Sequence, residues 1–323
     1  MPDLVQKCFV CGALLDEEDL FCANCGASAP ESDPSRLKLD GVVGTHSFEC
    51  SGCGASMSYS AEGGTLRCPF CGTNKLQQRA DHRVLAARRV VPFRVSHEMA
   101  ASALRKFLGS SFWHPADLSR AALVSEMSAV YVPYWVFGAA THTHWTADSG
   151  QVPWGARGNW IPVTGEHRGS YQGILIGASG ALTPAETEAI CPFDLSDGQT
   201  PAGFTYGSAA IEQFTVPRKY ARPLARAGLE ASEAQACARR YLVGRHRNLK
   251  VNVRIENLTS EPVLLPVWIM AYRYRQRLYR FIVNGQTGRA RGQAPFSKAK
   301  VVLVALAVLA ALAALLGVIL AFD

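Results

Sequence analysis

The sequence lacks the motifs of the common nucleotide-driven and hydrolytic enzymes. No Gly-x-x-x-x-Gly-Lys-Ser/Thr loop occurs, and no glycine precedes a lysine anywhere in the 323 residues. A helicase or another P-loop motor is therefore not expected. The Gly-x-Ser-x-Gly elbow of many serine hydrolases is missing as well. We therefore expect a protein that is not an enzyme.

An apolar run is lacking at the N-terminus, and cysteine is scarce after residue 71. The first ten residues include Asp3 and Lys7 and have no apolar core, so we expect no secretory signal. Only Cys191 and Cys237 lie beyond residue 71, and no histidine and aspartate arrangement frames either thiol. We expect both thiols to be buried or chemically idle.

The other eight cysteines form four Cys-x-x-Cys pairs, each followed directly by glycine. Both sulfurs of a pair reach one zinc ion only where the chain turns tightly, and glycine adopts the strained backbone of such turns. The pairs are Cys8/Cys11, Cys22/Cys25, Cys50/Cys53 and Cys68/Cys71, and the glycines are Gly12, Gly26, Gly54 and Gly72.

The spacing groups these pairs into two four-cysteine sites. Ten residues separate the first two pairs and 14 separate the last two, which is room for a short hairpin in each case. Four thiolates without an open ligand position are typical of structural zinc, so we expect two zinc ribbons with two structural Zn²⁺ ions. An interleaved assignment of the pairs stays open. The rival interpretation is a thioredoxin-like redox site. Such a site requires one Cys-x-x-Cys pair beside a βαβ unit, whereas this sequence has four pairs.

The charge is distributed unevenly along the chain. Residues 1–80 carry a net charge of −4, whereas residues 218–300 hold 18 Lys or Arg and 4 Asp or Glu, a net charge of +14. The central loop of the first ribbon is acidic, from Asp16 to Asp19. Because phosphate contacts need cations, this surface argues against nucleic acid as a partner.

The C-terminal segment from Val301 to Phe322 contains no charged residue. As a helix it would span about 33 Å, close to the thickness of a bilayer core. Lys298 and Lys300 precede it, so the positive-inside rule places residues 1–300 in the cytoplasm. We therefore expect a single-pass protein of the cytoplasmic or inner membrane, with its N-terminus in the cytoplasm and an anionic inner leaflet beside it.

Between these ends the pattern predicts an α+β domain with an antiparallel sheet. Ser96 precedes apolar residues at helical spacing, which predicts a capped helix over 96–108. Further helices are expected at 119–127 and 231–242. Strands are expected at 90–95, 130–144, 169–176, 249–255, 264–274 and 278–283, with turns at 275–277 and at Asn284-Gly285-Gln286-Thr287-Gly288.

An apolar-x-Pro-x-Trp pattern occurs twice, at residues 131–135 and 264–268. Proline cannot donate a ladder hydrogen bond, so we expect each segment at a strand start or sheet edge. The repetition predicts two related helix-plus-sheet halves, with chance similarity as the alternative. The expected organisation is zinc ribbon 1 at 1–27, a linker at 28–45, zinc ribbon 2 at 46–78, the α+β domain at 79–297 and a transmembrane tail anchor at 298–323.

Two groups of side chains in the α+β domain are candidate sites. His142 and His144 lie on one face of a strand, and with His167 they would suit a transition metal. The alternative is an ordinary half-exposed strand. A basic group is expected to face lipid headgroups, with a solvated sheet face as the alternative. It comprises Arg245, Arg247, Lys250, Arg254, Arg273, Arg275, Arg277, Lys298 and Lys300.

The cysteine pairs, Val91-Pro92-Phe93, the two proline and tryptophan segments and the 284–288 turn resemble a bacterial family of membrane-anchored TFIIB-type zinc-ribbon proteins. Members are often labelled primosomal or helicase-like. The likeness covers most of residues 46–320 and is poor between 145 and 245. It implies neighbours of the SPFH (flotillin-like or virion-core-like) and phage-shock-protein A types, membrane-stress assemblies, and no catalytic residues.

These observations together predict a non-enzymatic, membrane-anchored zinc-ribbon adaptor that recruits cytoplasmic protein partners. The alternative is a nucleic-acid-binding protein of replication or transcription, tethered to the membrane and using its basic strand and tyrosines. An enzyme built on the histidines is a third interpretation.

Overall fold

The computed structural model describes residues 6–12, 14–15, 25, 27, 46–59, 67–79, 85–109, 111–115, 117–118, 127–155, 157–275 and 277–322. Within these residues the strands are β1 (Gln6–Lys7), β2 (Leu14–Leu15), β3 (His46–Cys50), β4 (Ser56–Tyr59), β5 (Leu76–Arg79), β6 (Arg89–Val90), β7 (Ser128–Ser149), β8 (Ile161–Gly177), β9 (Ala210–Glu212), β10 (His246–Tyr274), β11 (Arg277–Asn284) and β12 (Ala290–Gly292). The helices are α1 (His97–Gly109), α2 (Pro184–Ala189), α3 (Arg218–Tyr241) and α4 (Lys298–Phe322).

One large mixed sheet organises the described chain. Its strand order is β12-β11-β10-β7-β9-β4-β3-β5, with β6 beside β10 and β8 beside β7. The β6/β10 and β7/β9 pairs are parallel, and the other pairs are antiparallel. The prediction of an antiparallel sheet is therefore wrong at these two short strands.

The second zinc ribbon is part of this sheet, so the predicted fold class of separate ribbons followed by an α+β domain is wrong. Strand β4 pairs with β9, and Met57 lies opposite Glu212. The physical reason is a shared core, because Met57 and Phe70 of the ribbon are fully buried in the same cluster as Val130 and Ile269 of the central strands.

The central strands are longer than the sequence pattern predicts. Strand β10 runs through 29 residues and joins segments that were expected to be two separate strands. A bulge between Glu256 and Thr259, with Asn257 at a φ of 51°, lets the strand continue where the polar residues predict a break.

Both prolines of the repeated pattern lie inside central strands, so their predicted place at a strand start or edge is wrong. Pro133 lies opposite Leu264, and Pro266 lies opposite Tyr131, which makes the two segments direct antiparallel neighbours. Each proline lies at the point along its strand where pairing with one neighbouring strand ends and pairing with the next one begins. Beside β7, pairing with β9 ends at Tyr131 and pairing with β8 begins at Tyr134. No ladder donor is needed in that gap.

The order β6-α1-β7-β8 recurs along the chain as β9-α3-β10-β11. In each series the first strand pairs in parallel with the third strand of the other series. The amide of Ala178 donates to the Pro133 oxygen at 2.9 Å, and the amide of Gly285 donates to the Pro266 oxygen at 2.8 Å. The arrangement therefore has approximate two-fold symmetry, with the two series interlocked. A common origin of two halves stays a prediction.

Helices α1 and α3 lie against the sheet. The hydroxyl of Ser96 accepts a hydrogen bond from the amide of Met99 at 3.3 Å, which confirms the predicted cap of α1. Helix α3 is far longer than the helix predicted at 231–242. It begins at Arg218 and continues through Pro223. It packs on β8, β10 and β7. The helix predicted over 119–127 falls almost entirely outside the described residues.

Helix α4 follows the sheet, and its described side chains cover residues 298–313. A membrane-crossing helix needs about 20 consecutive apolar residues. In the part of the chain that the structure describes, no helix is both long enough and apolar enough to cross a membrane. On this finding, the predictions of a C-terminal transmembrane helix and of a single-pass inner-membrane location are wrong.

Candidate metal centres

The second cysteine cluster brings two pairs together around one point. The sulfur atoms of Cys50, Cys53, Cys68 and Cys71 all lie within 4.8 Å of one another. The contacts cross between the pairs, with Cys50 Sγ 3.5 Å from Cys71 Sγ and Cys53 Sγ 3.6 Å from Cys68 Sγ. The interleaved assignment does not fit this arrangement. The set can hold a metal ion, and its four sulfur donors suit a closed tetrahedral site.

Glycine shapes each described turn between the sulfurs. The amide of Gly54 donates to the Cys50 oxygen and that of Gly72 donates to the Cys68 oxygen, both at 2.8 Å. Their φ angles are 75° and 71°, and Gly12 has a φ of 70° in the first cluster. These values confirm the reason for glycine after three of the pairs, because side chains with a Cβ rarely adopt such angles. Gly26, after the remaining pair, lies outside the described residues.

Hydrogen bonding and burial shift the pKa values of Cys53, Cys68 and Cys71. The Cys68 thiol hydrogen-bonds to Cys53 and lowers the pKa of Cys53 to about 5, and the same contact raises the pKa of Cys68. Desolvation raises the pKa of Cys71 to about 11. A bound divalent cation would remove this penalty and release protons as the thiols ionise.

The first cluster contains Cys8, Cys11 and Cys25, whose sulfur atoms also lie within 4.8 Å of one another. Cys8 is buried, and its Sγ lies 3.6 Å from that of Cys25. Backbone hydrogen bonds from Cys11 and Val10 lower the pKa of Cys8. Cys22, the predicted fourth ligand, lies outside the described residues.

A buried carboxylate lies where the second ribbon joins the sheet. Glu212 is the β9 residue opposite Met57 of the ribbon. Its side chain accepts hydrogen bonds from the Ser179 hydroxyl at 2.7 Å and from the amides of Gly180 and Ala181 at 3.1 and 3.2 Å. Burial outweighs these bonds and raises the pKa of Glu212 to about 7. Sequence reasoning missed this residue because nothing in the pattern marks it as buried.

The histidine group differs from the predicted one. His142 and His144 share the exposed face of the sheet, but His167 lies on the opposite face, with its Nδ1 3.2 Å from the Tyr241 hydroxyl. Glu166 takes its place, because the β7/β8 register sets it directly opposite His144. The turn between these strands fixes that register, so the sequence alone did not reveal the carboxylate.

The predicted basic group does not form one patch. Arg245 and Arg247 lie at the start of β10, whereas Arg275 and Arg277 lie beyond its end. A straight 29-residue strand would separate these ends by roughly 90 Å. The Lys300 ammonium donates to the carbonyls of Phe112 and His114 at 2.9 Å, so it packs on the chain. The side chain of Arg273 is outside the described set. Lys250, Arg254 and Lys298 are exposed, and Arg254 lies 3.3 Å from Glu256.

The two remaining cysteines are consistent with idle thiols. Cys237 is fully buried on the inner face of α3, and Cys191 is half-buried and contacts the carbonyl of Thr187 at 3.3 Å. Desolvation raises the pKa of each to about 11. Both therefore stay protonated at neutral pH, when a thiol is a poor nucleophile.

An open polar cleft of about 650 Å³ lies between β6, the bulge of β10 and the loop before Ser196. Arg89 crosses it, forming an ion pair with Glu261 and donating to the Leu195 carbonyl at 3.2 Å. The charges of Arg89 and Glu261 offset each other, and Arg89 links β6 to β10 and to the loop at Leu195. We therefore interpret the cleft as a structural contact between these segments and not as a ligand site.

Comparison with known proteins adds one relative. The chain is 26% identical to an uncharacterized protein named YdjG of Bacillus subtilis (strain 168) over 317 residues, which covers 79% of this chain and 92% of that protein. No known protein-family profile matches the chain. No solved structure matches it either.

Proposed function

We propose that this chain is a non-enzymatic adaptor, with structural Zn²⁺ at its two cysteine clusters and a protein-docking surface at the far end of its long sheet. The closed set of four sulfurs at Cys50 to Cys71 supports structural zinc. Hydrogen bonds between β4 and β9 make the second cluster a support of the sheet itself.

The exposure of Trp154 is the observation that supports a docking surface. It lies in the turn that joins β7 to β8, and its side chain is fully exposed, at 103% of its reference area. Tryptophan is enriched among the residues that dominate protein interfaces, since its large apolar ring gains much from burial. A fully solvated tryptophan at the end of two long strands is therefore placed to anchor a partner.

The base of this turn is braced. The amide of Gly150 donates to the Arg245 carbonyl at 2.8 Å, and Arg247 Nε donates to Asp148 Oδ2 at 3.2 Å. The Arg247 guanidinium also lies 4.5 Å from the centre of the Trp160 ring. A fixed base limits the conformational entropy that the turn would lose on binding. We call residues 150–155, 157–160 and 244–247 the hairpin tip.

The tip and the second zinc cluster lie at different ends of β7. Tyr131 pairs with β9 beside the ribbon, and Ser149 ends the strand at the hairpin tip. These residues are up to roughly 60 Å apart along an extended strand. The chain thus separates a zinc-supported base from a surface that captures a partner.

Co-purification tests this proposal. The resemblance noted above suggests the partners, so the full chain is co-expressed with an SPFH-type and with a phage-shock-protein A-type protein of the same genome. We expect one of them to co-purify with the wild type and with Tyr220→Ala, an exposed aromatic on α3, and to be lost with Trp154→Ala. Equal retention by both variants, or no capture by the wild type, would contradict the proposal.

A nucleic acid is the second candidate partner of the same tip. Arg245 and Arg247 both lie over the half-buried Trp160 ring, and arginine beside an aromatic ring is a recurrent arrangement in single-strand binding. Fluorescence anisotropy with a labelled single-stranded oligonucleotide separates the two candidates. Binding that weakens with salt and is lost in Trp154→Ala would favour nucleic acid.

A further inference from the structure

Three side chains on the exposed face of the sheet converge on one point. His142 Nε2 lies 3.1 Å from one carboxylate oxygen of Glu166, and His144 Nδ1 lies 3.5 Å from the other. The two imidazole rings are 4.9 Å apart at their centres. One ligand atom from each residue lies within 4.8 Å of the others.

The strand geometry produces this convergence. His142 and His144 are two positions apart on β7 and so point to one face. The register with β8 places Glu166 opposite His144 and Arg168 opposite His142. The carboxylate therefore lies between the two rings, held by the hairpin and not by a flexible loop.

We propose that His142, His144 and Glu166 form a third metal site, which binds a divalent transition ion such as Zn²⁺, Co²⁺ or Cu²⁺. Two imidazoles and one carboxylate suit these borderline ions and not Mg²⁺ or Ca²⁺, which prefer oxygen ligands. Bound zinc has ligand bonds of about 2.0–2.2 Å, which place two ligand atoms of a tetrahedral site roughly 3.3–3.6 Å apart. The present nitrogen and oxygen separations already fall near that range.

The site differs in kind from the cysteine clusters. The side chains of His144 and Glu166 are exposed to 59% and 62%, so the ion would keep positions open for water or for an outside ligand. Three protein ligands with an open position are typical of exchangeable or reactive sites. We therefore expect the ion to exchange faster than those held by four sulfurs.

The neighbouring charges set the limits of the affinity. His142 faces Arg168 on one side and Arg254 on the other, and Asn252 lies beside His144. Arg254 lies 3.3 Å from Glu256, which offsets part of its charge. Arg168 is a further cation beside this group, and its repulsion weakens binding without removing a ligand.

The test uses the full chain after its cysteine sites have been saturated with zinc and excess metal removed. Isothermal titration with Co²⁺ and electron paramagnetic resonance with one equivalent of Cu²⁺ are recorded for the wild type, His144→Ala, Glu166→Gln and His246→Ala. His246 is an exposed histidine of β10 outside the cluster and serves as the matched control. Circular dichroism confirms that all four proteins are folded.

We expect the wild type and His246→Ala to bind one further ion with equal affinity. Loss of a ligand in His144→Ala or Glu166→Gln should weaken binding by at least about tenfold. The Cu²⁺ spectrum should show two nitrogen ligands in the wild type and one in His144→Ala. Binding that is unchanged by either substitution, or a spectrum without nitrogen ligands, would overturn the proposal.

Discussion

The indole nitrogen of Trp135 donates a hydrogen bond to the carbonyl oxygen of Val216 at 2.8 Å. Trp268 makes the same bond, at the same length, to the carbonyl oxygen of Val95. Val95 and Val216 each lie just before a helix, α1 or α3. The tryptophan of the repeated pattern thus ties the strand of one series to the helix start of the other.

We predict that Trp135→Phe and Trp268→Phe each destabilise the protein by about 1–3 kcal/mol, because a partly buried carbonyl loses its donor. Urea unfolding monitored by circular dichroism measures the change. Trp154→Phe, at the exposed hairpin tip, is the control and should leave the unfolding midpoint unchanged. A midpoint that falls equally in all three proteins would contradict the role of the hydrogen bond.

We predict that removing one cysteine destabilises more of the fold in the second cluster than in the first. Cys71→Ser should raise hydrogen exchange in β3, β4 and β5 and also in β9, because β4 and β9 share a ladder and a core. Cys11→Ser should raise it only near β1 and β2, whose described pairing is with each other. Exchange measured by mass spectrometry decides this, and an unchanged β9 in Cys71→Ser would refute it.

We predict that Glu212 makes stability fall as the pH rises from about 4.5 to 7. Its pKa is raised to about 7 in the folded protein, so the folded state binds more protons than the unfolded state in that range. Each pKa unit is worth roughly 1.4 kcal/mol, so ionised Glu212 lowers the unfolding free energy by about 3 kcal/mol.

Glu212→Gln imitates the protonated acid and should raise the melting temperature at pH 8 but not at pH 5. The exposed Glu188→Gln is the control and should change neither value. A Glu212→Gln protein that melts below the wild type at pH 8 would show that the carboxylate is stabilising.

We predict that Gly169→Ala destabilises the protein by about 1–3 kcal/mol through overpacking. A Cβ at this position of β8 would lie 2.2 Å from Glu233 Oε1 and 2.7 Å from Thr141 Oγ1, so helix α3 would have to move away. Gly109→Ala is the matched control, since a Cβ there meets nothing within 4 Å. Chemical unfolding of both variants measures the difference, and equal effects would contradict this account.

The sequence predicted features that depend on a few neighbouring residues. The glycines after three of the cysteine pairs, the Ser96 cap and the turn at 284–288 all follow from local backbone preferences. The long strands were only partly predicted, because a bulge at Asn257 continues β10 through polar residues. Likewise, Pro223 argued against a helix in the Arg-rich first half of α3, but Ala221, Ala225 and Leu229 are buried there at helical spacing, and packing on the sheet stabilises the helix.

Other features depend on pairing between distant segments. The sequence repeat at 131–135 and 264–268 was visible, but its prolines could be placed only once the strands beside them were known. The same holds for Glu166, which joins the histidines through strand register, and for the separation of the basic residues along β10. Long-range register is set by the whole sheet and by turn geometry, and not by any one segment.

The exchange of β6 and β9 between the two series has a consequence for how this protein can be divided. A fragment that ends before β9 would leave β7 without its neighbours β9 and β10, and the complementary fragment would leave β10 without β6 and β7. Neither piece would be a self-sufficient folding unit, yet the two supplied together would carry every strand that each requires. A break in the loop between α2 and β9 should thus give a split protein that reassembles on mixing.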